Sequence, residues 1–218
     1  VHEYDQKRDL PIYGWGYDDA TMFGELRRWL EGRKAGAAPY LATLFTLSSH
    51  DPYILPGAWT PVFSTQARQL RAANDCCAVT GESDAATAAA ESYRFLDAQL
   101  AEFYSWYAGL PQRPLLVILG DHAPHVLNDD AVTAGRTMRF DIPLIIAGLD
   151  AAVGRVRDDA VARPVALHDV PVTLSHVLGI RVHSCMIGRN LFDPENPSVP
   201  VYGVGPESME QIHVWIGG

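Results

Sequence analysis

The chain has 218 residues, a net charge of −9, 48% hydrophobic and 20% charged residues. This composition fits one globular domain, 1–218, and excludes a disordered or fibrous chain. An acidic protein without a Lys/Arg-rich run repels phosphate backbones, which excludes nucleic acid as a partner. An anionic substrate must then be gripped locally, by a cation or a few Arg and His side chains. No apolar run reaches the ~18 residues that cross a bilayer. The first residue is Val1 rather than Met, so the expectation is a processed or excised piece whose membrane anchors lie upstream.

Asp18 and Asp19 precede Phe23, Leu26, Trp29 and Leu30 at helical spacing, which predicts an amphipathic helix over about 19–33, capped by the aspartates. Residues 40–48 are apolar and β-prone without alternation, the pattern of a strand covered on both faces. A short helix is expected at 64–75. Tyr93, Leu96, Leu100, Phe103 and Tyr107 share one face of a long helix over 84–108. Leu115–Leu119 and Ile142–Ala147 read as short buried strands. His168–Leu178 reads as a helix with Pro171 in its first turn, where a missing N–H costs nothing. Short strands close the chain at 201–204 and 211–216. Strand, helix, strand in this order implies a right-handed parallel crossover. The fold class is therefore α/β, with a mostly parallel sheet and flanking helices.

Cys76, Cys77 and Cys185 contain no C-x-x-C pair, which removes zinc-finger and thioredoxin readings. A bridge from either adjacent cysteine to Cys185 stays open in an oxidising compartment.

Function in open α/β sheets gathers at the carboxyl ends of strands. The first strand runs into Ser48, Ser49, His50 and Asp51; the second runs into Gly120, Asp121, His122 and, three residues on, His125. Parallel neighbours would deliver both clusters to one rim. A carboxylate oxygen beside an imidazole nitrogen suits a borderline divalent ion, so Asp121 and His122 are candidate metal ligands. The competing reading is structural: Asp121 caps the next turn and His122 bonds to backbone. His50 and His125 are candidate substrate contacts. Ser175, His176 and His168 read as helix residues with packing or capping duties, and Arg136 and Arg139 as solvated charges.

Six segments, in order, resemble the lipoteichoic-acid-synthase-like branch of the alkaline phosphatase/sulfatase superfamily. They are YGWGYDDATMF at 13–23, TLSSHDPY at 46–53, LVILGDH at 116–122, DIPLIIAG at 141–148, HDVPVTL at 168–174 and GRNLF at 188–192. The resemblance implies an alkaline-phosphatase-like fold truncated on its N-terminal side. It also implies that Asp121 and His122 are the late metal-ligand pair and that His50 contacts the phosphate or head group. His125 has no counterpart and rests on proximity. The implied cofactor is a divalent metal ion, Mn²⁺ foremost, with Zn²⁺, Mg²⁺ and Ca²⁺ as alternatives.

The implied activity is phosphoglycerol or phosphoethanolamine-type transfer through a phospho-enzyme intermediate, on a phosphate- or sulfate-ester substrate such as a lipid head group. Its implied place is the periplasmic or extracytoplasmic face of the bacterial inner membrane, reached through a missing upstream segment. One departure is large. The family's nucleophilic Thr or Ser lies upstream of the segment matching 13–23, and residues 1–11 contain neither Ser nor Thr. No catalytic nucleophile is assigned, and this chain alone is expected to lack turnover. The sulfatase Cys/Ser-x-Pro-x-Arg motif is absent around Cys76 and Cys77. Two alternatives remain open: a phosphodiesterase or sulfatase acting on soluble esters, and a non-catalytic binding domain on the same scaffold.

Overall fold

Asp18 ends an extended entry and caps the first helix, α1 (Asp19–Glu31): its carboxylate accepts the Thr21 amide at 3.1 Å and the Thr21 hydroxyl at 2.7 Å. At the other end the Gly32 amide donates to Arg28 O at 3.0 Å. The computed structural model of the chain describes residues 10–13, 16–33, 38–62, 84–122, 142–148, 165–193, 201–204 and 212–215. The expected helix at 64–75 lies outside them, as do Cys76 and Cys77. Cys185 carries a free, exposed thiol. The described residues fall into two compact units, one up to Arg113 and one from Pro114 onward.

In the first unit α1 packs on α2 (Asp84–Ala108). The Phe23 ring meets Phe103 with centroids 5.1 Å apart, and Phe103 continues to Trp106 at 5.3 Å. Phe103 and Tyr107 are buried on the face of α2 that the helical spacing predicts, with Phe95 buried beside it, whereas Tyr93 of that expected face is exposed. Burying each such ring stabilises the unit by roughly 1.5–3 kcal/mol. Glu91, also buried on α2, accepts Trp59 Nε1 at 3.2 Å, the Val62 amide and Arg94 Nε at 3.1 Å, which fastens the 59–62 segment to the helix. Arg94 then lies 4.1 Å over the Trp59 ring.

In the second unit β1 (Leu116–Leu119) pairs with β2 (Leu144–Ala147), in register from Leu116↔Ala147 to Leu119↔Leu144. The Gly120 amide extends the ladder to Pro143 O at 3.1 Å. Helix α3 (Asp169–Val177) follows, with Ser175 buried and its hydroxyl returned to Pro171 O at 2.8 Å. A hairpin of β3 (Val201–Val204) and β4 (Ile212–Trp215) ends the described chain. Among the described residues no helix is long and apolar enough to cross a membrane.

Helices and strands are both present, as an α/β chain requires, but two expectations change. Both ladders among the described residues are antiparallel, and the parallel unit expected to join 40–48 to 115–119 is not among them. The strand expected at 40–48 is also absent: residues 40–47 carry no ladder. Leu41 is 91% exposed and Phe45 71%, so the run is not covered on both faces. Its last amides are taken by a side chain instead of a neighbouring strand, and that side chain belongs to the candidate site.

Candidate functional site

The turn carrying His50 is held from its upstream side by Asp19. One oxygen, Oδ1, accepts the amides of Leu47 at 2.9 Å and Ser48 at 3.2 Å. The Asp19 amide in turn donates to Ser48 Oγ at 3.1 Å. Asp19 has no solvent exposure, and its Oδ2 finds no hydrogen-bond partner among the described residues. Burial pushes its carboxyl above the usual carboxylate range, against the pull of the Leu47 and Ser48 amides.

From this anchor the backbone folds tightly. The His50 amide donates to Leu47 O at 3.0 Å and the Tyr53 amide to His50 O at 2.8 Å, around a cis Asp51–Pro52 bond. Tyr53 sits at φ 59°, a left-handed conformation that costs a side-chain-bearing residue on the order of 1 kcal/mol or more. His50 Nδ1 lies 2.7 Å from Asp51 O. A carbonyl oxygen only accepts, so Nδ1 carries the proton of this contact. In the neutral ring the basic nitrogen is therefore Nε2, which takes up a proton or presents one according to charge. His50 itself is exposed.

Asp121 and His122 leave the end of β1 in the second unit. Gly120 makes room for the exit: a Cβ there would press on Ile142 and Pro143 at 3.3 Å. The His122 amide donates to Asp121 Oδ1 at 3.0 Å, and His122 Nε2 lies 3.8 Å from the same oxygen. Both side chains are largely open to solvent. Two donors 3.8 Å apart can share one divalent ion, whose bonds to imidazole and carboxylate run about 2.0–2.2 Å. The pair fits as part of a coordination shell; among the described residues no third His, Cys, Asp or Glu joins it. His50 stands in the first unit, Asp121 and His122 in the second. His125 lies outside the described residues.

Behind this site in sequence, α3 opens on a buried lock. Asp169, fully buried, accepts the Arg189 amide at 2.8 Å, Arg189 Nη2 at 3.0 Å and the Ala166 amide at 3.0 Å. The Thr173 hydroxyl lies 2.8 Å from Asp169 O and 3.2 Å from Arg189 O, and it accepts the Leu191 amide at 3.0 Å. Gly188 permits the approach: a Cβ would come within 2.6 Å of the His168 carbonyl carbon and 2.8 Å of Asp169 Cα. His168 precedes the helix and makes no side-chain cap bond.

Sequence reasoning takes Asp18 and Asp19 together as caps and does not separate them. Only Asp18 caps; Asp19 reaches across 28 residues to Leu47. No local pattern signals a bond of that span. Tyr53 carries no signal either, because left-handed positions announce themselves through Gly or Asn.

A sulfatase family model matches residues 2–180. The fold is similar to the crystal structure of a protein in the alkaline phosphatase superfamily from Vibrio parahaemolyticus, at 19% identity and a TM-score of 0.66. That likeness covers 96% of this chain and 45% of the other, so the chain spans less than half the length of its structural relative. It supports the α/β class and its alkaline-phosphatase-like character. No curated protein sequence matches the chain.

Proposed function

The chain belongs to the sulfatase family, and from that premise we propose that it is the C-terminal portion of one metal-dependent catalytic domain of the lipoteichoic-acid-synthase-like branch. In this reading the whole protein transfers phosphoglycerol or phosphoethanolamine-type groups on the extracytoplasmic face of a bacterial inner membrane. The observation that carries it is the carboxylate–imidazole pair of Asp121 and His122 at the end of β1, 3.8 Å apart and open to solvent. A divalent ion held there, Mn²⁺ foremost, would neutralise phosphate charge and favour an attacking hydroxylate.

The chain's own residues supply the rest of what it can contribute. His50, whose Nδ1–H donates to Asp51 O, is proposed to meet a phosphate oxygen through Nε2. As an imidazolium it donates that proton; as a neutral ring it accepts one from an incoming hydroxyl. His125 is proposed as a second contact to the ester. No residue of this chain is assigned as the attacking hydroxyl.

Calorimetric titration of Mn²⁺ and Zn²⁺ into the protein tests the reading. Asp121→Ala and His122→Ala should each abolish most of the binding heat. Equal heats for wild type and both variants would sink the metal site and favour a binding domain on the same scaffold.

A further inference from the structure

We propose that Asp19 is a positioning residue that sets the His50 imidazole through the backbone of the Leu47–Tyr53 turn. The inference rests on the reading of His50 as a phosphate-ester contact and adds the device that aims it. The path is short and continuous. Asp19 Oδ1 fixes the amides of Leu47 and Ser48, Leu47 O fixes the amide of His50, and His50 O fixes the amide of Tyr53. The ring then closes on Asp51 O through Nδ1.

Each joint in that path is a backbone group, so little freedom is left between the carboxylate and the imidazole except the histidine's own torsions. The Leu47 side chain lies close over Gly16, where an added Cβ would meet its Cδ1 at 2.7 Å.

A plain helix residue does not explain Asp19. The cap is already provided by Asp18, and burying a carboxylate with one oxygen lacking a partner among the described residues costs free energy that an apolar residue would not. What the carboxylate does provide is one acceptor for two successive amides, at the point where the chain turns out of its extended run. Those amides would otherwise face a neighbouring strand or water. Instead they hold a reverse turn whose fourth residue is His50.

The test is ¹⁵N-correlated NMR of histidine-labelled protein, which reads the His50 tautomer directly, together with titration of glycerol 1-phosphate. In wild type the neutral His50 ring should be held as the Nδ1–H tautomer and should respond to glycerol 1-phosphate. Asp19→Asn retains the Oδ1 acceptor and should keep both properties. Asp19→Ala should let the ring exchange between tautomers and weaken glycerol 1-phosphate binding on the order of tenfold, as misplacement of a binding group does. Should Asp19→Ala fail to fold, Asp19→Ser serves, because its hydroxyl is too short to accept both amides. A wild-type tautomer in either variant overturns the positioning role. If His50→Ala binds glycerol 1-phosphate as wild type does, the functional reading of His50 falls instead, whatever the tautomers show.

Discussion

Asp19 opens α1 and Asp169 opens α3, neither side chain reaches solvent, and each accepts two backbone amides. Their electrostatics nevertheless run in opposite directions. Burial raises the Asp19 carboxyl, and the amides of Leu47 and Ser48 do not reverse it. Burial also pushes Asp169 upward, but the side-chain bonds of Arg189, with the amides of Ala166 and Arg189, bring it below its ordinary value. Amides can anchor a buried carboxylate; a guanidinium is needed to make its charge comfortable. One aspartate therefore stabilises its unit, and the other holds a turn at a cost.

Breaking the lock at Asp169 should have the largest effect. Asp169→Ala leaves the Arg189 guanidinium, only 13% exposed, without its carboxylate, and should cost about 3–5 kcal/mol in urea unfolding. Gly188→Ala should come next, at about 3 kcal/mol, because the new Cβ collides with backbone at His168 and Asp169. Faster hydrogen exchange at the Leu191 amide, which donates to Thr173 Oγ1, would localise the damage; unchanged exchange would contradict the lock.

The comparison sharpens when pH is varied. Asp19 is raised above 3.8 in the folded chain, so its contribution is fully present below that value and is lost as pH rises through the folded value. Asp169 is lowered from 3.8, so its contribution is present above that value and is lost as pH falls through the folded value. Asp19→Asn should accordingly gain on wild type as pH rises from 3 toward 7, while Asp169→Asn should fall behind over the same span. Parallel stability curves for the two variants would refute the contrast. The smallest effect is expected from Ser48→Ala, which removes only the bond from the Asp19 amide, at about 1 kcal/mol.

The two regions also differ in what the sequence made legible. Helix 84–108 is found at its expected bounds, and the strands at 116–119, 144–147, 201–204 and 212–215 lie within their expected spans, because each follows from a local pattern. Asp121 and His122 fall at a strand end, where the apolar run into Gly120 puts them. The segment at 40–48 shows the limit. Its composition is that of a strand, but a strand needs a partner, and its final amides turn to Asp19 instead. Pairing direction was equally out of reach, since element order alone does not say that β1 and β2 run antiparallel. The Asp169–Arg189 lock spans 20 residues and shows no periodicity that could announce it.

Tyr53 draws a practical consequence from its left-handed backbone. Glycine or asparagine adopts φ 59° with less strain, so a selection for heat resistance alone would favour their appearance at this position. A selection for ester binding would favour whatever keeps the histidine loop taut. Evolving the protein under each pressure separately, and sequencing codon 53 in the survivors, would show whether rigidity there is an accident of packing or a trait under purchase by function.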